Sequence, residues 1–181
     1  MSMLETVLIA FWTMLPAYIP NNAAVIFGGG KPVDGGREWH GSRLLGDGKT
    51  WRGSLGGIAT GAALALLLNS VRIPVQDAIG LSLTAFPTAV VVLFPLGAIL
   101  GDIGASFIKR RTGKERGAAF PGLDQLDFVA GSLVLTALLT TSWVTETFTL
   151  EVLAVVLVIT PVLHLGTNFI GFKIGLKEEP W

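Results

Sequence analysis

The chain has 181 residues, 51% of them hydrophobic and 14% charged, with thirteen basic and thirteen acidic side chains and no net charge. Soluble globular chains carry roughly 25% charged residues, so the composition argues against an ordinary soluble domain. The balanced charge gives no reason to expect a nucleic-acid partner. The lack of cysteine excludes disulfides, a thiolate nucleophile and Cys-ligated zinc.

Five stretches contain no Asp, Glu, Lys or Arg: 6–30, 53–71, 78–101, 128–145 and 152–172, each at least 18 residues long. About 20 apolar residues cross the hydrocarbon core. The sequence therefore predicts an all-α polytopic membrane protein. It would be a single membrane-embedded domain over 1–181, with five transmembrane helices at approximately 4–28, 53–70, 84–108, 126–145 and 150–172. Two long loops, 29–52 and 109–125, join them on one side. The first run has no basic n-region or small-residue cleavage pattern, and we read it as a retained helix. Within it, Asn21 and Asn22 follow Pro16 and Pro20. Two adjacent amides in an apolar run need partners, either a polar ligand or the kinked backbone.

The basic residues set the orientation. Lys31, Arg37, Arg43, Lys49 and Arg52 lie in the first long loop, and Lys109, Arg110, Arg111, Lys114 and Arg116 in the second. Lys173 and Lys177 lie in the C-terminal tail, leaving only Arg72 of the thirteen on the opposite side. The expectation is a cell-membrane protein with its N-terminus outside, its C-terminus in the cytoplasm and both long loops cytoplasmic. Connections on the outer side are short, so function is expected in the inner loops. Gly57 and Gly61 form a GxxxG in the second span, which reads as a close helix–helix contact.

The first inner loop carries the run 43–53, Arg-Leu-Leu-Gly-Asp-Gly-Lys-Thr-Trp-Arg-Gly. Gly48-Lys49-Thr50 resembles the end of a Walker A motif, but the required upstream glycine is Arg43 and no soluble strand precedes it, so a P-loop is rejected. Arg43, Lys49 and Arg52 remain candidate phosphate ligands, and Trp51 is either a base-stacking surface or an interfacial anchor.

At the end of the third span stands Asp102. A carboxylate there is costly and is a functional candidate by default. Ser106 and Lys109 follow at spacings of four and three, on the same helix face. Asp124 and Asp127 stand three apart before the fourth span, downstream of the chain-breaking Pro121-Gly122. Three carboxylates converging at the membrane surface can hold magnesium, which takes oxygen ligands and bridges to substrate phosphates. The basic run 109–117 satisfies topology and also suits a phosphate-rich ligand. His40 and His164 are isolated and receive no role. Asn168 lies one turn beyond His164, which points to a structural hydrogen bond.

Three segments together resemble the CTP-dependent lipid cytidylyltransferases. They are Lys49-Thr50-Trp51 with Gly53; Gly101-Asp102 with Ser106, Lys109 and Arg110; and Pro121-Gly122 with Asp124 and Asp127. Runs 43–53 and 121–127 are similar to the shorter archaeal branch, the CDP-archaeol synthases, over the whole chain. This resemblance implies a magnesium-dependent enzyme that transfers CMP from CTP to an unsaturated archaetidic acid, 2,3-bis-O-geranylgeranyl-glycerol 1-phosphate, releasing pyrophosphate. It further implies catalytic roles for Asp102, Lys109, Asp124 and Asp127, with the three carboxylates on the metal. Asn21, Asn22, Arg43, Lys49, Thr50, Trp51, Arg52, Ser106 and Arg110 would bind nucleotide or phosphate. The competing reading is a transporter or channel subunit, which would place ionisable groups near the midplane and often show repeated halves.

Overall fold

The computed structural model describes residues 2–114 and 118–175. Arg116 and Lys177 of the basic tally lie outside the described residues.

Helix α1 (Met3–Ile26) starts at a capping box in which the Ser2 hydroxyl accepts from Glu5 N and the Glu5 carboxylate accepts from Ser2 N. Helix α2 (Trp51–Ile79) starts at Thr50, whose buried hydroxyl accepts from Gly53 N at 3.1 Å, and ends at Gly80 with φ 68°. Helix α3 spans Thr88–Arg111, α4 Leu123–Leu139, α5 Thr141–Thr147 and α6 Leu150–Lys173. Four of these, α1, α2, α3 and α6, are long and apolar enough to cross a membrane, and the chain is a multi-pass membrane protein.

The expected boundaries need three corrections. The second span reaches Ile79, so Arg72 sits inside α2 rather than in an outer loop. The uncharged run 128–145 is not one helix: α4 ends after 17 residues and the chain breaks at Thr140 (φ −141°) before the short α5. The Thr140 and Thr141 hydroxyls bond back to carbonyls four residues upstream, Thr136 O at 2.8 Å and Ala137 O at 2.6 Å, and such bonds weaken helix continuity. The first inner loop is not irregular throughout. It contains a two-stranded hairpin, β1 (Glu38–Trp39) and β2 (Ser42–Arg43), turned through His40 at φ 51° and Gly41 at φ 73°.

Small residues bring the helices together. A Cβ on Gly57 would lie 2.5 Å from the Pro20 carbonyl, and one on Gly61 would lie 2.7 Å from the Pro16 carbonyl, so the predicted GxxxG is a close α2–α1 contact. The α3–α4 crossing is tighter still, with Gly97 and Gly101 of α3 against Gly131 and the Asp127 carbonyl of α4. Such approach needs residues without side chains, because the gain is van der Waals contact between backbones. The core between the helices holds Met14, Phe94, Val90, Val152 and Val156.

At the other end, residues 81–87 form neither helix nor strand, with Leu83 and Phe86 buried. Buried backbone without helical partners is tolerated only if other groups satisfy it. Asn69 does so with a reciprocal pair to Phe86 N and O, both 2.8 Å. Trp12 and Trp143 donate their indole N–H groups to Thr84 O and Ala85 O. These contacts fix the end of the bundle opposite the charged loops.

Candidate active site

The charged ends of the helices close around a cavity of about 430 Å³ bounded by α1, α3, α4, α6 and the loop before α2. Its wall changes character along its length. Phe11, Leu15, Ile19 and Leu163 line the apolar part, while Asn21, Asn22, Lys49, Asp102, Asp124 and Asp127 line the polar part. Asp102 lies nine residues before the end of α3, about 14 Å along the axis at 1.5 Å per residue. The site is therefore set back among the helices, and the last turns of α3 project beyond it.

Local structure explains each side chain's placement. Pro16 and Pro20 cannot donate helical hydrogen bonds, and the helix continues past them to carry Asn21 and Asn22 to the cavity. Asn22 donates to Tyr18 O at 3.3 Å. The Asn21 side-chain oxygen is buried and accepts no hydrogen bond. Gly101 lets α3 touch the α4 backbone at Asp127, which sets Asp102 and Asp127 beside the same space. Gly122 at φ 84° turns the chain into α4, so that Asp124 enters its first turn, where an acidic residue is favoured.

Two ion pairs cross the polar end. Lys49 Nζ lies 2.5 Å from Asp102 Oδ2, and Lys109 Nζ lies 2.9 Å and 3.1 Å from the two Asp124 oxygens. Asp124 also accepts from Phe120 N at 2.8 Å. Asp127 accepts from Phe128 N at 2.5 Å. The three carboxylates thus line one cavity as expected, but two of them are turned to lysines. Among the described residues no three carboxylate or imidazole groups are clustered as a ready-made metal cage.

Several predicted phosphate ligands are held elsewhere. Arg43 pairs with Asp34 at 2.9 Å and Asp47 at 2.5 Å. Arg52 donates from Nε to Phe27 O at 2.7 Å and from a terminal nitrogen to Gly28 O, covering the open carbonyls at the end of α1. Thr50 is spent on the α2 cap, and Trp51 is exposed at the first turn of α2. Neither Ser106 nor Arg110 lines the cavity.

Helix α6 supplies what sequence reasoning missed. Thr160, His164, Thr167 and Asn168 face the cavity. Thr160 bonds to the Tyr18 hydroxyl at 2.9 Å, and Asn168, which is buried, contacts the His164 ring nitrogens at 3.3–3.4 Å. The expected His164–Asn168 contact exists, yet both also look into the site. The signal was present: Thr160, His164 and Asn168 recur every four residues in a largely apolar helix.

The CDP-archaeol synthase family model, described as CarS-like, matches residues 3–181. The chain belongs to this family. The CDP-archaeol synthase of Haloarcula marismortui is 61% identical over 181 residues, and that of Halobacterium salinarum (strain ATCC 29341 / DSM 671 / R1) 58% over 181, each covering 100% of both chains. A solved structure, described as structural insight into an intramembrane enzyme for archaeal membrane lipids biosynthesis, is similar with a TM-score of 0.72. It is 36% identical, and the match covers 90% of this chain and 94% of that one. As a member of the CDP-archaeol synthase family the chain is an enzyme.

His40 sits outside the cavity. It lies at the hairpin turn, stacked on Trp39 with ring centroids 5.5 Å apart, and does not line the cavity. His40→Ala is expected to retain most turnover. General acid–base groups contribute about 10²–10⁴-fold, so a loss of that size in single-turnover rate would reveal a proton-transfer role.

Proposed function

We propose that the chain transfers CMP from CTP to 2,3-bis-O-geranylgeranyl-glycerol 1-phosphate, giving the CDP-lipid and pyrophosphate at the cytoplasmic face of the cell membrane. The observation that carries this reading is the amphipathic cavity. Its Lys49–Asp102 and Lys109–Asp124 end suits phosphates, and its Phe11–Leu15–Ile19–Leu163 wall suits a lipid chain. CTP is cytosolic and the lipid phosphate lies at the headgroup plane, so both substrates reach a cavity set just inside the helix ends. The relatives' names and the distribution of basic residues support the lipid class and the orientation, with the N-terminus outside and the C-terminus in the cytoplasm.

In the reaction, a non-bridging oxygen of the lipid phosphate attacks the α-phosphorus of CTP. That P–O bond forms as the bond from the α-phosphorus to the bridging oxygen breaks, and pyrophosphate takes the electron pair. A phosphate monoester is already anionic at neutral pH, so no general base is needed. Catalysis then rests on positioning and charge neutralisation. Lys49 and Lys109 would neutralise phosphate oxygens, released from their carboxylates as the ligand enters. Asn21, with its unbonded oxygen, and Asn22 would hold polar groups of the nucleotide or headgroup.

Asp102, Asp124 and Asp127 form an oxygen-only donor set, which fits magnesium. Magnesium keeps several waters and uses one or two carboxylates plus substrate phosphates, so a complete protein cage is not required. When bound, it would offset charge on the entering and leaving oxygens.

The test is purified protein with labelled CTP and the lipid phosphate, scored for CDP-lipid and pyrophosphate. Equal amounts of both products are expected, and neither after chelation of magnesium. Release of CMP or phosphate without CDP-lipid would overturn the reading.

A further inference from the structure

The loop that carries Lys49 is organised around a carboxylate that does not line the cavity. Asp34 is 8% exposed as a residue, and its side chain is fully buried. One oxygen accepts from Gly36 N at 3.0 Å and Arg43 Nη2 at 2.9 Å. The other accepts from Leu45 N at 3.0 Å and Gly46 N at 3.2 Å. Burial works against ionisation here, but the Arg43 guanidinium and these three backbone N–H groups outweigh it and hold the carboxyl well below the usual carboxylate range. Asp34 is therefore charged throughout the physiological range.

These bonds lead directly to Lys49. Gly46, whose N–H is held by Asp34, uses its carbonyl to accept from Lys49 N at 3.3 Å. On the other side, Val33, the neighbour of Asp34, donates to Lys49 O at 2.7 Å, and Trp51 N donates to Lys31 O at 3.1 Å. Lys49 is thus bracketed by a short antiparallel bridge whose two arms converge on one buried carboxylate. A second anchor joins the loop to α3. Arg111 donates to Trp39 O (2.6 Å), Ser42 O (3.1 Å) and Arg43 O (2.8 Å). Its guanidinium also lies 5.4 Å from the Trp39 ring centroid and 5.5 Å from that of Phe107. The helix that carries Asp102 therefore also holds the hairpin of the loop that carries Lys49.

We propose that Asp34 is a positioning residue, assisted by Arg111: it fixes the fold of the first inner loop so that the Lys49 ammonium is held against Asp102 at the cavity. The effect on turnover rests on the nucleotidyl-transfer reading above; the placement of Lys49 does not. Asp34→Asn keeps the shape but converts an acceptor pair into one acceptor and one donor. The amide N–H₂ then faces either Leu45 N and Gly46 N or Arg43 and Gly36 N, and neither set can accept from it.

The experiment uses the full-length protein in detergent. The rate of Lys49 modification by an amine-reactive reagent is read by mass spectrometry, with Lys109 as internal reference. Asp34→Asn and, separately, Arg111→Gln are expected to raise Lys49 labelling severalfold and leave Lys109 unchanged. If Asp34→Asn does not fold, Arg111→Gln at the partly exposed loop edge carries the same reading. Misplacing a reacting group by about 1 Å can cost on the order of 10²-fold, and kcat/KM for CTP is expected to fall by up to that factor in Asp34→Asn. In a Lys49→Met background, Asp34→Asn should add little further loss. Unchanged Lys49 labelling in both variants, or an equal loss from Asp34→Asn with and without Lys49, would overturn the proposal. Full turnover in Lys49→Met alone would instead defeat the assignment of Lys49 to the phosphate site, leaving the labelling result to decide its placement.

Discussion

Replacing Asp127 by Asn is expected to lower CDP-lipid formation by on the order of 10²–10³-fold, the size seen when one preorganised electrostatic group is removed. Membrane insertion and thermal stability should hardly change. Asp127 lines the cavity near Asp102 and Asp124. Among the described residues it forms no ion pair, whereas Asp102 and Asp124 each hold a lysine. Asn keeps the shape, and its carbonyl can still accept from Phe128 N. It removes a carboxyl crowded by Asp102 and Asp124, so the fold loses little. What it does remove is an anionic oxygen available to a divalent cation. The half-saturating magnesium concentration should rise along with the loss of rate. Asp124→Asn is a different experiment. It weakens the partner of Lys109 and the acceptor for Phe120 N, so it should lower the melting temperature as well as the rate. Near-normal turnover in both variants, measured in a single-turnover assay with thermal shift alongside, would remove the carboxylates from the metal site.

The sequence made the helices legible because each stretch without charge is long, and length without charge has few other physical causes. It made the polar end legible because Asp102, Asp124 and Asp127 are costly beside a bilayer. It did not reveal which cations face the cavity. Arg43 and Arg52 have the same charge as Lys49, but Arg43 finds Asp34 and Asp47, and Arg52 finds the carbonyls of Phe27 and Gly28. Charge alone cannot separate a ligand from a cap or a buried ion pair; that depends on where the loop folds, and the loop folds around Asp34. The break at Thr140 was hidden for a related reason. Thr140 and Thr141 are uncharged, so they extend an apolar-looking run while offering the backbone competing hydrogen bonds. The face of α6 was readable as a polar stripe at Thr160, His164 and Asn168, but a contact within one helix and a wall of a cavity leave the same trace in sequence.

Gly101→Ala is expected to be among the most damaging single-methyl changes in the chain. An added Cβ would overlap the Asp127 carbonyl oxygen and crowd the Cα of Phe128, both backbone atoms that cannot rotate away. Overpacking of a close contact costs about 1–3 kcal/mol. Gly131, directly across the crossing, meets the backbone of Gly97 and Gly101 and offers no slack. Relief requires α4 to move away from α3. That motion separates Asp102 on α3 from Asp127 on α4, the two carboxylates flanking the contact. A displacement of about 1 Å there can cost on the order of 10²-fold in rate, so the catalytic loss should exceed what the stability loss alone explains. Gly104→Ala is the control: it lies three residues further along the same helix, and nothing lies within 4 Å of its added Cβ. In the background of a helix interior, Ala for Gly should stabilise Gly104→Ala by up to about 1 kcal/mol. The comparison is read by melting temperature in detergent together with CDP-lipid formation at a temperature where both variants stay folded. If Gly101→Ala melts like Gly104→Ala and turns over normally, the α3–α4 crossing does not set the distance between the carboxylates, and the site's geometry must be held by the loops instead.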